Sequence, residues 1–256
     1  MKSAYVFRLL ALLSFLLPMC FSGNVLAEQE LTVSAAASLT NSFQEIGRKF
    51  EAANPGVKVI LNFAASGPLL QQIAGGAPVD VFASADQETM NQAAQKHLIV
   101  DESRKDFAAN SLVLILPEQS KAVIGNARDL GGREIGKVAI GNPESVPVGR
   151  YTREALTAEG LWETLSPKFI FGDSVRQVLD YVSRNEVDAG FVYATDAAVA
   201  KNKVKIAVRM EKHKPILYPI AIVSATQKKD LAGKFVDFVL GKEGREILSG
   251  YGFGKP

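Results

Sequence analysis

Apolar residues occur along this chain in two alternating patterns. Short segments rich in apolar residues, such as residues 31–35 (Leu-Thr-Val-Ser-Ala) and 111–116 (Ser-Leu-Val-Leu-Ile-Leu), have the length and composition of strands. Between such segments, apolar side chains recur at spacings of three or four residues, as Leu39, Phe43 and Ile46 do, which places them on one face of a helix. Strands and helices that alternate in this way predict an α/β fold with mostly parallel sheets.

Spacing and turn residues together place the individual elements. Strands are predicted over residues 31–35, 57–61, 79–83, 111–116, 138–140, 169–171, 189–193 and 216–223. Helices are predicted over residues 39–50, from Pro68 to Gly75, after the capping residue Asp86, and over residues 149–158, 175–182 and 231–248.

These elements form two series that meet near residue 110. We therefore predict two similar lobes of mostly parallel sheet, flanked by helices, with a ligand cleft between them. A chain that closes on a ligand usually crosses between its lobes, so the last helix is expected to return to the first lobe. Lobe I is predicted to comprise residues 28–109 and 219–256, and lobe II residues 110–218.

The first 27 residues differ in composition from the rest of the chain. Lys2 and Arg8 precede an apolar run over residues 9–17, and small or modest side chains follow at residues 25–27. This order is typical of a secretory signal peptide. The apolar run is shorter than the roughly 20 residues that span a bilayer. We therefore predict that residues 1–27 are a cleaved signal peptide and that the mature protein works in the periplasm.

Cys20 is the only cysteine, and it lies within the predicted signal peptide. Lipoprotein processing needs a small residue before the cysteine, whereas Met19 is large. We expect Cys20 to be removed with the signal peptide. The mature chain, which would start near Glu28, then has neither a disulfide nor thiol chemistry.

Loss of the signal peptide also changes the charge balance. The full chain has 29 Lys and Arg against 27 Asp and Glu, and loss of Lys2 and Arg8 would leave 27 of each sign. A neutral chain without a basic block gives no reason to expect binding to nucleic acid or to a membrane surface. We also expect no later transmembrane helix, no resident cofactor and a monomeric protein.

Residue types that enzymes use are sparse. The two histidines, His97 and His213, stand among polar and charged neighbours and are predicted to lie at the surface. The sequence has no His- or Cys-rich metal motif, no Gly-x-Ser-x-Gly motif and no phosphate-binding P-loop. A periplasmic enzyme acting through Ser38 or Ser66 would need a base that no histidine supplies. That alternative, and a sensory or scaffold module without a ligand, stay open to experiment.

Two strand-to-helix turns are rich in small and hydroxyl residues. Residues 35–40 read Ala-Ala-Ala-Ser-Leu-Thr, and residues 63–68 read Phe-Ala-Ala-Ser-Gly-Pro. Small side chains let a ligand approach the backbone, and the free N–H groups at a helix start favour an anion. Ser38 and Ser66 would each add a hydroxyl donor at the sheet edge where ligands usually bind. Each serine taken alone is more simply explained as an ordinary helix cap.

Together these segments resemble the periplasmic molybdate-binding proteins of ABC transporters. The resemblance extends from about residue 30 to the end of the chain. It implies a two-lobed fold of the periplasmic binding protein-like II type. The segments that carry it are residues 35–40, 63–66, 76–86 (Gly-Ala-Pro-Val-Asp-Val-Phe-Ala-Ser-Ala-Asp), 141–147 (Gly-Asn-Pro-Glu-Ser-Val-Pro), 175–176 (Val-Arg) and 192–193 (Val-Tyr).

The resemblance also implies a function and a set of site residues. Members of that family are not enzymes; they hold a molybdate or tungstate oxyanion between the lobes and deliver it to a membrane permease. Residue by residue, the resemblance implies ligand contacts by the hydroxyl groups of Ser38, Ser66 and Tyr193. It implies further contacts by the backbone amides of Val148 and Val175. All five would contact the oxygens of the ligand, so none is a direct metal ligand.

This chain departs from the family pattern at three positions. The turn after the second strand has Gly67 where an accessory hydroxyl next to Ser66 would stand. Val148 is bulkier than the alanine often found there, and Ser174 replaces an acidic residue. These changes concern selectivity, so a binder of another oxyanion, such as sulfate or phosphate, is the alternative. Arg150 and Arg176 are expected to be structural or surface charges.

Overall fold

Two five-stranded sheets organise the protein, as described by a computed structural model for residues 29–256. The predicted signal peptide, residues 1–27, lies outside the described residues. The strands in chain order are β1 (Gln29–Ala36), β2 (Val57–Ala64), β3 (Val81–Ala83), β4 (Lys105–Asn110), β5 (Leu112–Pro117), β6 (Val138–Gly141), β7 (Phe169–Gly172), β8 (Ala189–Tyr193), β9 (Val204–Arg209) and β10 (Ile216–Ile222).

Helices cover the sheets and connect successive strands. They are α1 (Thr40–Ala53), α2 (Ser66–Ala74), α3 (Gln87–Gln95), α4 (Pro147–Ala158), α5 (Trp162–Leu165), α6 (Val175–Ser183), α7 (Ala194–Val199), α8 (Lys229–Leu240) and α9 (Lys242–Gly250). Asp86 caps α3 as predicted, because its side chain accepts a hydrogen bond from the N–H of Thr89.

The two sheets share one topology. The first has the order β2-β1-β3-β10-β4 and the second the order β7-β6-β8-β5-β9. In each sheet four strands run in one direction. The fourth strand in the order, β10 or β5, runs antiparallel to its neighbours. This arrangement confirms the predicted α/β fold class with two similar, mostly parallel sheets.

The chain crosses twice between the sheets. It first crosses between Asn110, the last residue of β4, and Leu112, the first residue of β5. It returns between Arg209 and Ile216, so that β10 joins the first sheet. The last helices then pack on the first lobe, where Phe235 of α8 makes edge contacts with rings of α1. Both crossings lie beside the fourth and fifth strands of each sheet, away from the outer strands β2 and β7.

One sequence prediction needs correction, and two strands were missed. The helix predicted over residues 231–248 is two helices, because the extended backbone of Gly241 (φ −72°, ψ 178°) separates α8 from α9. Strands β4 and β9 were not predicted. Both are outermost strands with mixed polarity, so neither has a continuous apolar run.

Other boundaries differ by a few residues. Helix α2 begins at Ser66, two residues before Pro68, and α4 begins at Pro147. Within residues 29–256, no helix is both long enough and apolar enough to cross a membrane.

Candidate functional site

The turn after β1 brings the backbone of lobe I close to the cleft. Ala37, Ser38 and Leu39 form a short 3-10 turn before α1, and all three are buried. The hydroxyl oxygen of Ser38 lies 3.0 Å from that of Tyr218 on β10. Ser38 is therefore held by a side chain of the strand that returns from lobe II.

Ser66 is the first residue of α2 and is fully buried. Its Oγ accepts a hydrogen bond from the N–H of Ala85 at 3.0 Å. Because a hydroxyl has a single proton, an accepted hydrogen bond leaves that proton free to be donated elsewhere. The turn before α3 thus orients Ser66 as a donor.

Lobe II contributes two helix starts. Val148 is the second residue of α4, after Pro147, and Val175 is the first residue of α6. Within residues 29–256, neither amide donates a hydrogen bond to another group, as expected for the first turn of a helix. Both valine side chains are buried. The donors are therefore backbone groups, and the side chains serve packing.

Tyr193 ends β8 and is 1% exposed. Its hydroxyl oxygen is buried and has no hydrogen-bond partner among residues 29–256. Burial raises the pKa of this phenol well above its ordinary value, so the group stays protonated. A buried hydroxyl without a partner costs free energy unless a ligand satisfies it.

All five sequence-predicted site residues line one small cavity between the lobes. None of its lining residues, all within the described part of the chain, carries a formal charge. The cavity is lined by Ala36, Ala37, Ser38, Ala65, Ser66, Ala85, Val146, Pro147, Val148, Val175 and Tyr193. The structure thus brings three residues with hydroxyl groups and two residues with free amides to one small cavity.

Two arginines lie close to this cavity, and each is paired with a carboxylate. Arg176 Nε lies 2.7 Å from Asp196 Oδ1, and the Arg176 guanidinium also donates to the carbonyl of Ser38 at 3.4 Å. Burial raises the pKa of Asp196 to about 6, and the neighbouring Arg176 limits the rise. Arg150 Nη2 lies 2.7 Å from Asp86 Oδ2. Both arginines are structural charges, as the sequence indicated.

The lobes are closed on each other by contacts outside the cavity. Arg150 of α4 reaches across to Asp86 and donates to the Thr89 hydroxyl at 2.7 Å. The N–H of Gly67 donates to the carbonyl of Ser145 at 3.1 Å. A Cβ atom on Gly67 would lie 2.4 Å from that carbonyl oxygen, which is closer than real Cβ contacts. Glycine at this position therefore allows the two lobes to approach.

Sequence reasoning missed several residues that support the site. Tyr218 was not singled out, because a tyrosine within the apolar strand β10 reads as an ordinary core residue. Asn110 donates to the hydroxyl of Tyr218 at 3.2 Å, and nothing in the sequence marks it. The interlobe role of Arg150 was also invisible, since its partner Asp86 lies 64 positions away.

Among residues 29–256, neither Ser38 nor Ser66 has a histidine as a hydrogen-bond partner. His97 is exposed just beyond the C-terminal end of α3, and the ring nitrogens of His213 lie within 3.2 Å of the Met210 and Lys214 carbonyl oxygens. Among residues 29–256, no group of three or more His, Cys, Asp or Glu side chains could hold a metal ion. The arrangement can donate hydrogen bonds to an anion.

Comparison with known proteins identifies the class. The chain matches the family of bacterial extracellular solute-binding proteins over residues 31–254, and it belongs to that family. Members of this family bind solutes for ABC transporters and are not enzymes.

Individual relatives narrow the comparison. The chain is 40% identical to the molybdate-binding protein ModA of Escherichia coli strain K12 over 241 residues, which is 91% of this chain and 92% of the relative. The periplasmic molybdate-binding protein of Azotobacter vinelandii has the same fold, with a TM-score of 0.78, 25% identity, and coverage of 88% of this chain and 99% of that one.

A more distant structure shows how general the fold is. The sulfate-binding protein SubI of Mycobacterium tuberculosis H37Rv matches with a TM-score of 0.78 at 16% identity, covering 88% of this chain and 86% of that one. At that identity the likeness concerns the fold alone. The ligand must therefore be argued from the groups that line the cavity.

Proposed function

We propose that this protein is the solute-binding component of an ABC importer for molybdate, and that tungstate binds at the same site. One observation carries the proposal. Five hydrogen-bond donors from both lobes line one small cavity without a formal charge, and the hydroxyl of Tyr193 is buried there without a partner. The 40% identity to a molybdate-binding relative supports the same ligand.

The chemistry of the donors suits a fully ionised tetrahedral oxyanion. Molybdate is a dianion at neutral pH, and each of its four oxygens accepts hydrogen bonds. Ser38, Ser66 and Tyr193 can each donate one proton, and the amides of Val148 and Val175 donate two more. Hydrogen bonds to a charged partner contribute about 1.5–3 kcal/mol each. Free amides at the starts of α4 and α6 add the favourable field of a helix N-terminus.

Molybdate and sulfate are both tetrahedral dianions, so charge and shape do not distinguish them. They differ in size, since the Mo–O bond is longer than the S–O bond. In a closed cavity with fixed donors, the oxygens of sulfate would lie short of some donors. Each buried donor left unpaired costs about 1–3 kcal/mol, so two or three missed contacts give strong discrimination. Tungstate has nearly the same size as molybdate and is expected to bind similarly.

Lobe closure supplies the conformational part of the proposed mechanism. The donors lie on both lobes, so a ligand oxyanion meets all of them only when the lobes are together. The ligand then stabilises the closed form by its differential affinity for that form. The Gly67–Ser145 hydrogen bond and the Arg150–Asp86 ion pair hold the same closed arrangement from outside the cavity. The closed, loaded protein would dock on its membrane permease.

Isothermal titration of the mature chain, residues 28–256, tests this proposal. Molybdate and tungstate are each expected to bind tightly with a stoichiometry of one. Sulfate and phosphate at equal concentration are expected to leave molybdate bound. Displacement of molybdate by an equal concentration of sulfate would contradict the ligand assignment. Thermal melting that no oxyanion changes would favour a module without a ligand.

The cellular part of the proposal has its own test. We propose that residues 1–27 direct export to the periplasm and are removed there. Cell fractionation should find the protein in the periplasm, and mass spectrometry should find a mature N-terminus near Glu28. Light scattering should give the mass of a single chain. Recovery of the full chain in the cytoplasm would contradict the predicted signal peptide.

A further inference from the structure

A chain of hydrogen bonds, buried at Ser38 and part-buried at Asn110, connects Ser38 to the first crossing between the lobes. Asn110, the last residue of β4, donates from Nδ2 to the hydroxyl of Thr195 at 2.9 Å and to that of Tyr218 at 3.2 Å. The hydroxyl oxygen of Tyr218 lies 3.0 Å from that of Ser38. Asn110 therefore contacts lobe II through Thr195 and the ligand cavity through Tyr218 and Ser38.

The direction of each hydrogen bond in this chain follows from its first member. The N–H of Ser111 donates to Asn110 Oδ1 at 2.9 Å, which fixes the orientation of the amide. The Nδ2 group, which can only donate, then faces Tyr218, and the oxygen of Tyr218 must accept. Tyr218 is fully buried, so Ser38 is the group to which its single proton can go.

Ser38 is thereby left with its own proton free. Its Oγ accepts from Tyr218, and its O–H is available to the cavity that Ser38 lines. Burial raises the pKa of Tyr218 well above its ordinary value, so the phenol keeps the proton that it donates. A chain of hydrogen bonds that all run in one direction also polarises its last member, which strengthens the final donor.

We propose that Asn110 and Tyr218 are positioning residues that set the proton direction of Ser38. They direct the single proton of Ser38 toward the cavity, so that Ser38 meets the oxyanion as a hydrogen-bond donor rather than as an acceptor. This inference rests on the proposed function, because it assumes an anion at Ser38. It assigns to two residues outside the cavity a share of the preference for molybdate over hydrogenphosphate, which carries a proton that it must donate.

Substitution of Asn110 by aspartate would reverse the chain without changing its shape. A carboxylate oxygen in place of Nδ2 can only accept, so Tyr218 would donate to it and Ser38 would donate to Tyr218. Ser38 would then present lone pairs to the oxyanion. Molybdate affinity should fall by roughly 100-fold or more, because a favourable contact becomes a repulsive one. Affinity for inorganic phosphate should fall less, so the ratio of phosphate to molybdate affinity should rise.

A double variant separates this effect from added charge and from misfolding. Tyr218→Phe alone cuts the chain and leaves Ser38 free to turn, so molybdate affinity should fall only about 3- to 10-fold. In the Asn110→Asp, Tyr218→Phe double variant the reversed direction no longer reaches Ser38. The double variant should therefore bind molybdate about tenfold more tightly than Asn110→Asp alone, since the two sites are coupled. Repulsion by the new carboxylate, or damage to the fold, would make the double variant as weak or weaker.

Matched controls complete the experiment. Asn62→Asp adds the same charge at another half-buried asparagine of lobe I, whose amide donates to Ser34 and Gln72. Tyr251→Phe removes a hydroxyl that donates to Glu45, away from the cavity. Each control should change molybdate affinity by less than about threefold.

Titration of the wild-type protein with molybdate tests the proposed function independently of the inference about Asn110 and Tyr218. The variants are then titrated with whichever of molybdate, sulfate or phosphate the wild type binds. Recovery of affinity in the double variant, together with the shifted phosphate-to-molybdate ratio in Asn110→Asp, is the expected result. A double variant no better than Asn110→Asp, or an unchanged affinity in Asn110→Asp, would overturn the inference.

Discussion

The two lobes supply the same chemical function by different means. Lobe I donates through the hydroxyls of Ser38 and Ser66, and each hydroxyl owes its direction to a partner, Tyr218 or Ala85. Lobe II donates mainly through backbone amides at the starts of two helices, where the proton direction is fixed by covalent structure. The hydroxyl donors of lobe I can therefore be removed by substitution, whereas the two amide donors of lobe II persist with any side chain other than proline.

The largest effect is expected from a substitution that keeps the two lobes from meeting, because the comparison depends on donors from both lobes reaching one ligand. In Gly67→Ala, the new methyl group would lie 2.4 Å from the carbonyl oxygen of Ser145. The lobes would have to separate, and the donors of lobe II would lose the ligand. Molybdate affinity should fall by roughly 100-fold or more, since at least two charge-assisted hydrogen bonds are lost. Isothermal titration measures the change.

Gly250→Ala is the matched control, because a Cβ atom at Gly250 meets nothing within 4 Å. It should bind molybdate like the wild type. The melting temperature of Gly67→Ala without ligand should also match the wild type, since each lobe keeps its own core. Full affinity in Gly67→Ala would show that the closed contact is not needed for binding.

Removal of single hydroxyl donors should have the next largest effect. Ser66→Ala and Tyr193→Phe each delete one hydrogen bond to a charged ligand, so molybdate affinity should fall roughly 10- to 150-fold. Their effects on the ligand-free protein should differ. Ser66→Ala leaves the N–H of Ala85 without its partner and should lower the melting temperature. Tyr193→Phe removes a hydroxyl that has no partner in residues 29–256 and should not lower it. Wild-type affinity in Ser66→Ala would make that serine a helix cap alone.

Substitution at an amide donor of lobe II should have the opposite result, with little change in affinity and a loss of stability. Val175→Ala retains the backbone N–H, so molybdate affinity should stay within about threefold of wild type. The same change removes buried methyl groups from a side chain that is 4% exposed, and the free energy of unfolding should fall by about 1–3 kcal/mol. Titration and urea unfolding of one preparation give both numbers. A loss of affinity comparable to that of Ser66→Ala would contradict the assignment of the donor to the backbone.

The smallest effect on molybdate affinity is expected at Asp196, which does not line the cavity. Its pKa rises from 3.8 to about 6 on folding, so the native state holds more protons than the unfolded state between about pH 4 and 6. The stability contributed by Asp196 therefore falls as pH rises through this window, by at most about 3 kcal/mol. Asp196→Asn removes this dependence. Urea unfolding from pH 4 to 7 should show that the free energy of unfolding of the variant, relative to that of the wild type, rises with pH. A difference between the two that stays constant with pH would contradict the assignment.

The sequence predicts the parts of the fold and site that depend on neighbours along the chain. Continuous apolar runs located β5 and β8 to within a residue or two, because both strands are buried in the middle of a sheet. The small residues around Ser38 and Ser66 likewise marked two strand-to-helix turns. The amides of Val148 and Val175 followed from resemblance together with their places at helix starts.

What the sequence could not predict depends on distant residues. Tyr218 meets Ser38 across 180 positions, and Arg150 meets Asp86 across 64. Apolar periodicity does not encode such pairs, and a buried tyrosine reads the same whether or not its hydroxyl orients a ligand donor. The split of the last helix at Gly241 is a different failure, since one glycine shifts the balance between a continuous and a broken helix by only about 1 kcal/mol.

A crystal structure of the mature protein with molybdate tests the central claim most directly, because the anomalous signal of molybdenum locates the anion independently of the protein. The metal is predicted to lie between the lobes. Its oxygens should lie within hydrogen-bond distance of the hydroxyls of Ser38, Ser66 and Tyr193 and of the amides of Val148 and Val175. Molybdate held instead by the guanidinium of Arg150 or Arg176, or bound to one lobe of an open protein, would contradict binding by neutral donors from both lobes.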